Sequence, residues 1–120
     1  MIKTRGLNHI NLNVSDVKRS LRFYQEVFGL KVMFWEGDAM VFLRTPGAND
    51  TITLCQAKDG APVAGGGVSH FGFGIMNKED LDAAADAIAR AGGKVLSRGE
   101  HGPGHPYLYA TDPDGYVIEL

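Results

Sequence analysis

The sequence predicts an α+β fold in which two tandem βαβββ modules form an open, cup-shaped mixed sheet with helices on its outer face. The first observation is a repeat, because residues 7–54 match residues 68–120 in the order of their elements. The second is periodicity: each half has a strand-like alternating run, then a helical run, then a closing hairpin. The third is composition, since 44% hydrophobic residues in 120 can bury one core.

The first half predicts one strand, one helix and three short strands. Residues 7–14 alternate apolar and polar side chains and therefore predict a strand. Residues 16–28 place apolar side chains on one helical face, and Ser15 or Asp16 can cap the start while Gly29 ends the helix. The three strands that follow are predicted at about residues 31–36, 39–44 and 50–56.

The second half repeats this order. Residues 68–75 predict a strand, and residues 78–91 predict a helix with Asn77 as its N-cap and Gly92 after its last turn. A strong turn at Asp112-Pro113-Asp114-Gly115 joins the final hairpin. The three strands after the helix are predicted at about 94–97, 106–111 and 116–120. Module one thus covers residues 1–57, a flexible linker covers 58–67, and module two covers 68–120.

One face of the predicted strands is polar or small, and it carries His9, His70 and Glu119. A lone strand histidine is more often a hydrogen-bonded structural residue. Two histidines at equivalent repeat positions, together with a glutamate on the same face, instead match the two-imidazole, one-carboxylate facial triad. The residues therefore predict a divalent-metal site with open positions for substrate. Gly72 and Gly74 share the face of His70 and predict space for a ligand there.

At these positions the chain resembles the vicinal oxygen chelate superfamily, which includes glyoxalase I, fosfomycin-resistance transferases, extradiol dioxygenases and bleomycin-binding proteins. The resemblance covers nearly the whole chain. It implies one glyoxalase-like domain over residues 1–120, the metal ligands His9, His70 and Glu119, and a homodimer. It also implies one divalent metal per site, either Fe, Mn, Zn or Ni. The residues that carry it are Leu7-Asn8-His9, Ser15-Asp16, Phe23-Tyr24, Phe28-Gly29-Leu30, Ser69-His70 and Asp112-Pro113-Asp114-Gly115 leading to Glu119.

Within the superfamily, the resemblance slightly favours extradiol-type ring cleavage. Those dioxygenases carry a tyrosine ten residues before the last ligand, which matches Tyr109, and a histidine in the preceding loop, which is similar to His101. The resemblance implies catalytic roles for both. Glyoxalase I has a fourth ligand where this chain has Thr53, and Gln56 is predicted on the opposite strand face. A glyoxalase-type lyase or isomerase, a fosfomycin-type thiol transferase and a metal-free drug- or metabolite-binding protein remain alternatives.

Composition excludes several other classes. The net charge of −2 is not that of a nucleic-acid-binding surface. No apolar run approaches the roughly 20 residues of a membrane span, and the first residues lack the apolar stretch of a signal peptide. We therefore expect a soluble, cytoplasmic protein whose partners are a small-molecule substrate and a second copy of the chain. The one cysteine, Cys55, can form no intrachain disulfide and is interpreted as an inert thiol.

Overall fold

The computed structural model describes all residues, 1–120, and separates into two compact units, residues 1–63 and 64–120. Each unit is one strand, one helix and three strands, so the α+β class and the βαβββ repeat are confirmed. The elements of the first unit are β1 (Ile10–Val14), α1 (Val17–Phe28), β2 (Lys31–Glu36), β3 (Met40–Arg44) and β4 (Ile52–Gln56). Those of the second unit are β5 (Phe71–Gly72), α2 (Leu81–Arg90), β6 (Lys94–Glu100), β7 (Pro106–Thr111) and β8 (Val117–Glu119).

In the first unit, a four-stranded sheet in the order β1-β4-β3-β2 packs against α1. β1 runs parallel to β4, and the other neighbours are antiparallel. The predicted helix ends are confirmed: the Asp16 carboxylate accepts the backbone N–H groups of Lys18 and Arg19, and Gly29 closes the helix at φ +66°. The buried side chains include Leu12, Val14, Val17, Phe23, Tyr24, Leu30, Val41, Leu43, Ile52 and Leu54.

The second unit has the same topology, with the strand order β5-β8-β7-β6 and β5 parallel to β8. α2 packs on β6 and β7. Its buried apolar side chains are Leu81, Ile88, Leu108, Ala110 and Ile118. Where the sequence predicted one cup-shaped sheet, the structure has one four-stranded sheet in each unit. Neither helix has the length and apolar character that crossing a membrane would require.

Several elements of the second unit differ from their predicted bounds: β6 extends three residues beyond the predicted 94–97, and two other elements begin or end elsewhere. The strand predicted over 68–75 contains only Phe71 and Gly72, because glycine in a strand adds no side-chain packing and has the most conformational entropy to lose. The helix predicted from residue 78 opens as a 3₁₀ turn over Lys78–Asp80. The side chain of Asn77 caps no backbone N–H there; its amide nitrogen donates to the Asp80 carboxylate.

The predicted turn at residues 112–115 sets the register of the last two strands. The N–H of Gly115 donates to the carbonyl of Asp112 at 3.1 Å. The buried carboxylate of Asp112 accepts the N–H groups of Asp114 and Tyr116. β8 therefore leaves the turn in a register that pairs Glu119 with Tyr109 on β7.

Candidate metal centre

The face of the second sheet that is turned away from the core carries the candidate site. On β7, Leu108 and Ala110 are buried while Tyr107 and Tyr109 are half-buried, as strand alternation requires. On β8, Ile118 is buried and Glu119 is half-buried. Because Glu119 pairs directly with Tyr109, their side chains share this face.

Three other side chains contact the carboxylate of Glu119. Nε2 of His101 lies 2.6 Å from its Oε1, and Nε2 of His70 lies 3.1 Å from its Oε2. Tyr109 forms a side-chain hydrogen bond to the same carboxylate. The structure therefore brings together four of the five predicted site residues, namely His70, His101, Tyr109 and Glu119.

These contacts set the protonation of the site. The hydrogen bond from His101 is the main reason why the pKa of Glu119 is lowered, with Tyr109 and the charges of both histidines adding to it and partial desolvation opposing it. The pKa of Tyr109 is raised, first by desolvation and then by its contact with Glu119. At neutral pH Glu119 is thus an ionised acceptor, and Tyr109 keeps the proton that it donates.

The two predicted histidine ligands have matching local surroundings. Each lies one residue before the first strand of its unit, and each ring is contacted at Nδ1 by the preceding side chain. Nδ1 of His9 lies 2.8 Å from Oδ1 of Asn8, and Nδ1 of His70 lies 3.1 Å from the hydroxyl of Ser69. A bond at Nδ1 fixes the ring and leaves Nε2 as the nitrogen for a metal.

The side chains of His9, His70 and Glu119 have the donor chemistry of divalent-metal ligands. His9 belongs to the first unit, where its ring contacts Asn8. Two imidazoles anchored through Nδ1 and one ionised carboxylate are suitable ligands for Fe, Mn, Zn or Ni. No group of three or more His, Cys, Asp or Glu side chains is arranged in the structure to hold a metal ion. The set of His9, His70 and Glu119 therefore stays a prediction.

The ring of His101 contacts Tyr107, a residue that the predicted site does not contain, and Tyr107 in turn lies opposite Gly99. The His101 ring stacks on Tyr107, with centroids 4.3 Å apart and planes at 26°. Gly99 pairs with Tyr107 across the hairpin of β6 and β7. Strand alternation places Tyr107 on the same face as Tyr109, and this pattern could have indicated from the sequence that Tyr107 lies near the site. Only the hairpin register shows that Gly99 lies opposite.

Thr53 occupies the position of the fourth glyoxalase I ligand, and Gln56 lies three residues after it. Thr53 is buried, and its hydroxyl has no hydrogen-bond partner in the structure. The amide of Gln56 accepts the N–H of Val17 and donates to the carbonyl of Ser15, so it holds the start of α1. Gln56 is therefore a structural residue.

Gly72 and Gly74, which were predicted to leave ligand space beside His70, differ from each other. A Cβ at Gly72 would lie 2.9 Å from the backbone oxygen of Glu119, whereas a Cβ at Gly74 would meet nothing within 4 Å. Gly72 is thus required by the close approach of β8. Only Gly74 has open space in front of its missing side chain.

The family described as Glyoxalase/Bleomycin resistance protein/Dioxygenase superfamily matches residues 6–120 of this chain. A probable trivalent organoarsenical cleaving enzyme from Bacillus subtilis is 31% identical over 118 residues, covering 93% of this chain and 76% of that protein. An ethylmalonyl-CoA/methylmalonyl-CoA epimerase from Cereibacter sphaeroides is 30% identical, covering 95% of each chain.

Solved structures match the fold as well. A fosfomycin resistance protein, FosX, from Listeria monocytogenes superposes with a TM-score of 0.80 at 24% identity, covering 98% of this chain and 90% of that one. That structure is of a mutant in complex with Mn(II) and 1S,2S-dihydroxypropylphosphonic acid. The named relatives are enzymes of more than one reaction class.

Proposed function

The chain belongs to the glyoxalase/bleomycin resistance protein/dioxygenase superfamily, and we propose that it is a divalent-metal-dependent enzyme acting on a small substrate that chelates the metal through vicinal oxygens. The observation that carries this proposal is the carboxylate of Glu119, which has Nε2 of His70 on one oxygen and His101 on the other. His70 and Glu119 thereby supply one imidazole and one ionised carboxylate side by side, two of the ligand types that a divalent metal takes, and His9 would supply the third.

His9, His70 and Glu119 would hold the ion. When bound, it would supply Lewis-acid stabilisation of negative charge on the substrate oxygens. The anchoring of His9 by Asn8 and of His70 by Ser69 supports this role, because a hydrogen bond at Nδ1 orients a ligand ring. The FosX relative in complex with Mn(II) supports a divalent metal of this kind.

We favour extradiol-type cleavage of a catechol-like ring as the reaction. Tyr109 keeps its proton and lies beside His70, with the two rings edge-to-face and their centroids 5.1 Å apart, so it can donate to a substrate oxygen. His101 is 59% exposed and can hold or transfer a proton at Nε2. Both side chains contact Glu119, where a chelating substrate would lie close to them.

Isomerisation by proton transfer is the second candidate. The epimerase from Cereibacter sphaeroides matches 95% of this chain and favours it. The same residues would serve, since Tyr109 and His101 can each carry a proton. A thiol transferase of the fosfomycin type has the support of fold similarity alone.

Reconstitution of the metal-free protein with Fe(II), Mn(II), Zn(II) or Ni(II) separates these reactions. We expect the Fe(II) form to consume oxygen when catechol is added, and Glu119→Gln and His70→Ala to lose this activity. His105→Ala is the matched control, because His105 is exposed and its hydrogen bonds are those of its backbone. Absence of oxygen uptake, together with epimerisation of an acyl-CoA by any metal form, would replace ring cleavage with the second candidate.

A further inference from the structure

We propose that Tyr107 is a positioning residue that fixes the imidazole of His101 against Glu119, and that Gly99 provides the space Tyr107 needs. The role of His101 itself rests on the proposed function. The arrangement joins three neighbouring strands: Gly99 on β6, Tyr107 on β7 and Glu119 on β8. His101 lies just beyond the end of β6.

His101 needs an external support because the loop holds only its backbone. The N–H of His101 donates to the carbonyl of His105 at 3.1 Å, and the N–H of His105 donates to the carbonyl of Gly102 at 2.9 Å. These bonds close the loop but do not restrain the side-chain torsions of His101. Its hydrogen bond to Glu119 fixes one ring nitrogen and leaves the ring plane free to turn about that bond.

Tyr107 removes this remaining freedom. Its ring stacks on the imidazole at 4.3 Å and 26°, a near-parallel contact that fixes the plane of His101. Tyr107 also packs against Tyr109, with centroids 5.4 Å apart and planes at 64°. It therefore lies beside both residues that we propose as catalytic, and it would hold them at a set separation.

Gly99 permits the stack. It pairs directly with Tyr107, and a Cβ at residue 99 would lie 2.7 Å from the Tyr107 hydroxyl oxygen and 2.9 Å from Cζ. Real Cβ atoms essentially never approach so closely, so any side chain at this position would push the phenol ring aside. The end of a tyrosine side chain can move, and the expected consequence is a displaced stack rather than an unfolded sheet.

The first test measures the rate of carbethoxylation of His101 in the metal-free protein, with His105 as the reference histidine in the same molecule. We expect His101 to react slowly in the wild type and in Tyr107→Phe, which retains a stacking ring. The rate should rise several-fold in Tyr107→Leu and in Gly99→Ala. Phe34→Leu breaks a comparable stack in the first unit, where the ring centroids of Phe34 and Phe42 lie 4.3 Å apart, and it should leave the rate unchanged.

A double-mutant cycle on Mn²⁺ affinity gives the second readout. Tyr107→Leu should weaken binding about tenfold in the wild-type background, the usual size of an outer-sphere effect. It should have no further effect when His101 is already alanine. Unchanged carbethoxylation in both Tyr107→Leu and Gly99→Ala, in chains whose circular dichroism shows them folded, would overturn the proposal. Since that arm uses no metal and no substrate, its result is independent of whether the proposed function is correct.

Discussion

The carboxylate of Glu119 contacts the other candidate site residues of the second unit. Its two oxygens face different histidines, and the carboxylate also accepts from Tyr109. Oε1 and Oε2 therefore have distinct surroundings: Oε2 lies beside the predicted ligand His70, while Oε1 lies beside His101. We infer that Oε2 is the oxygen available to a metal and that the contact at Oε1 keeps the carboxylate in place.

The lowered pKa of Glu119 makes the stability of the metal-free protein depend on pH. A carboxylate with a lowered pKa stabilises the folded state above its unfolded pKa, near 4.5, and this contribution is lost as the pH falls through the folded pKa. We expect acidification from about pH 6 to about pH 3 to reduce the free energy of unfolding less in Glu119→Gln than in the wild type. Urea unfolding measures this, with the exposed Glu36→Gln as control. Parallel profiles for Glu119→Gln and the wild type would show that the contacts do not stabilise the fold.

The sequence predicted much of this site but not how it is held. Strand alternation and the repeat were sufficient to predict that His70, Tyr109 and Glu119 share one face. The role of His101 was implied only by the resemblance to extradiol dioxygenases, which carry a histidine in the loop that precedes this strand. The sequence could not predict the stack on Tyr107, because that contact depends on the loop over residues 101–105 and on a register shift between Val95 and Ser97.

Among the strands and helices, the short strand β5 affects both the fold and the candidate site. Gly72 on β5 pairs in parallel with Glu119 on β8, and the absence of a Cβ lets the two backbones approach. The same absence shortens the strand. The glycine that lets β8 approach therefore also limits β5 to two residues.

Gly72→Ala and Gly74→Ala form a matched pair that tests this constraint. A Cβ at residue 72 would meet a backbone atom, which cannot swing aside, so β8 and Glu119 must shift. We expect Gly72→Ala to weaken Mn²⁺ binding about tenfold or more, as displacement of a ligand's support does. Gly74→Ala should bind as the wild type does. Isothermal titration calorimetry measures both, and equal affinities would show that the close approach at Gly72 is not needed.

The end of α1 gives a stability prediction at the same scale. Gly29 has φ +66°, and a Cβ there would meet no atom within 4 Å, so the cost of alanine is backbone strain alone. We expect Gly29→Ala to lower the free energy of unfolding by about 1 kcal/mol. Gly67→Ala, at a glycine with open space and no left-handed φ, should change it little. Denaturant unfolding would contradict this account if the two variants had the same midpoint.

The ends of α1 were predicted correctly from the sequence, whereas the start of α2 was not. Asp16 and Gly29 each have a strong local preference and nothing nearby that competes with it, so both ends of α1 match. Asn77 also favours an N-cap, but its side chain is oriented so that the amide nitrogen bonds to the Asp80 carboxylate and no backbone N–H is capped. An orientation of this kind depends on side-chain geometry, which residue types alone do not determine.

At the scale of the whole molecule, the exposed strand β2 supports the expected homodimer. It lies at the edge of its sheet, and its apolar side chains are more than a third exposed: Val32 by 38%, Met33 by 41%, Phe34 by 50% and Trp35 by 37%. An exposed apolar edge strand is a liability that a partner can remove. The corresponding strand β6 exposes charged side chains and, among large apolar ones, Leu96.

Sedimentation velocity at micromolar concentration tests the dimer. We expect a mass of twice 12.9 kDa in the wild type. Replacing Trp35 by Lys, which adds a charge to the exposed apolar edge, should shift the protein toward monomer. A wild-type mass of 12.9 kDa would contradict the expected assembly.

Metal uptake by the purified chain is the decisive measurement for the proposed site of His9, His70 and Glu119. The metal-free chain is dialysed against Fe(II), Mn(II), Zn(II) and Ni(II) in turn, and bound metal is quantified by mass spectrometry beside the same measurement on His9→Ala, His70→Ala, Glu119→Gln and the control His105→Ala. We expect about one ion per chain in the wild type and the control, and a large loss in each of the three ligand variants. No uptake of any of the four metals by the folded wild-type chain, or uptake that all three ligand variants retain, would contradict the proposed site.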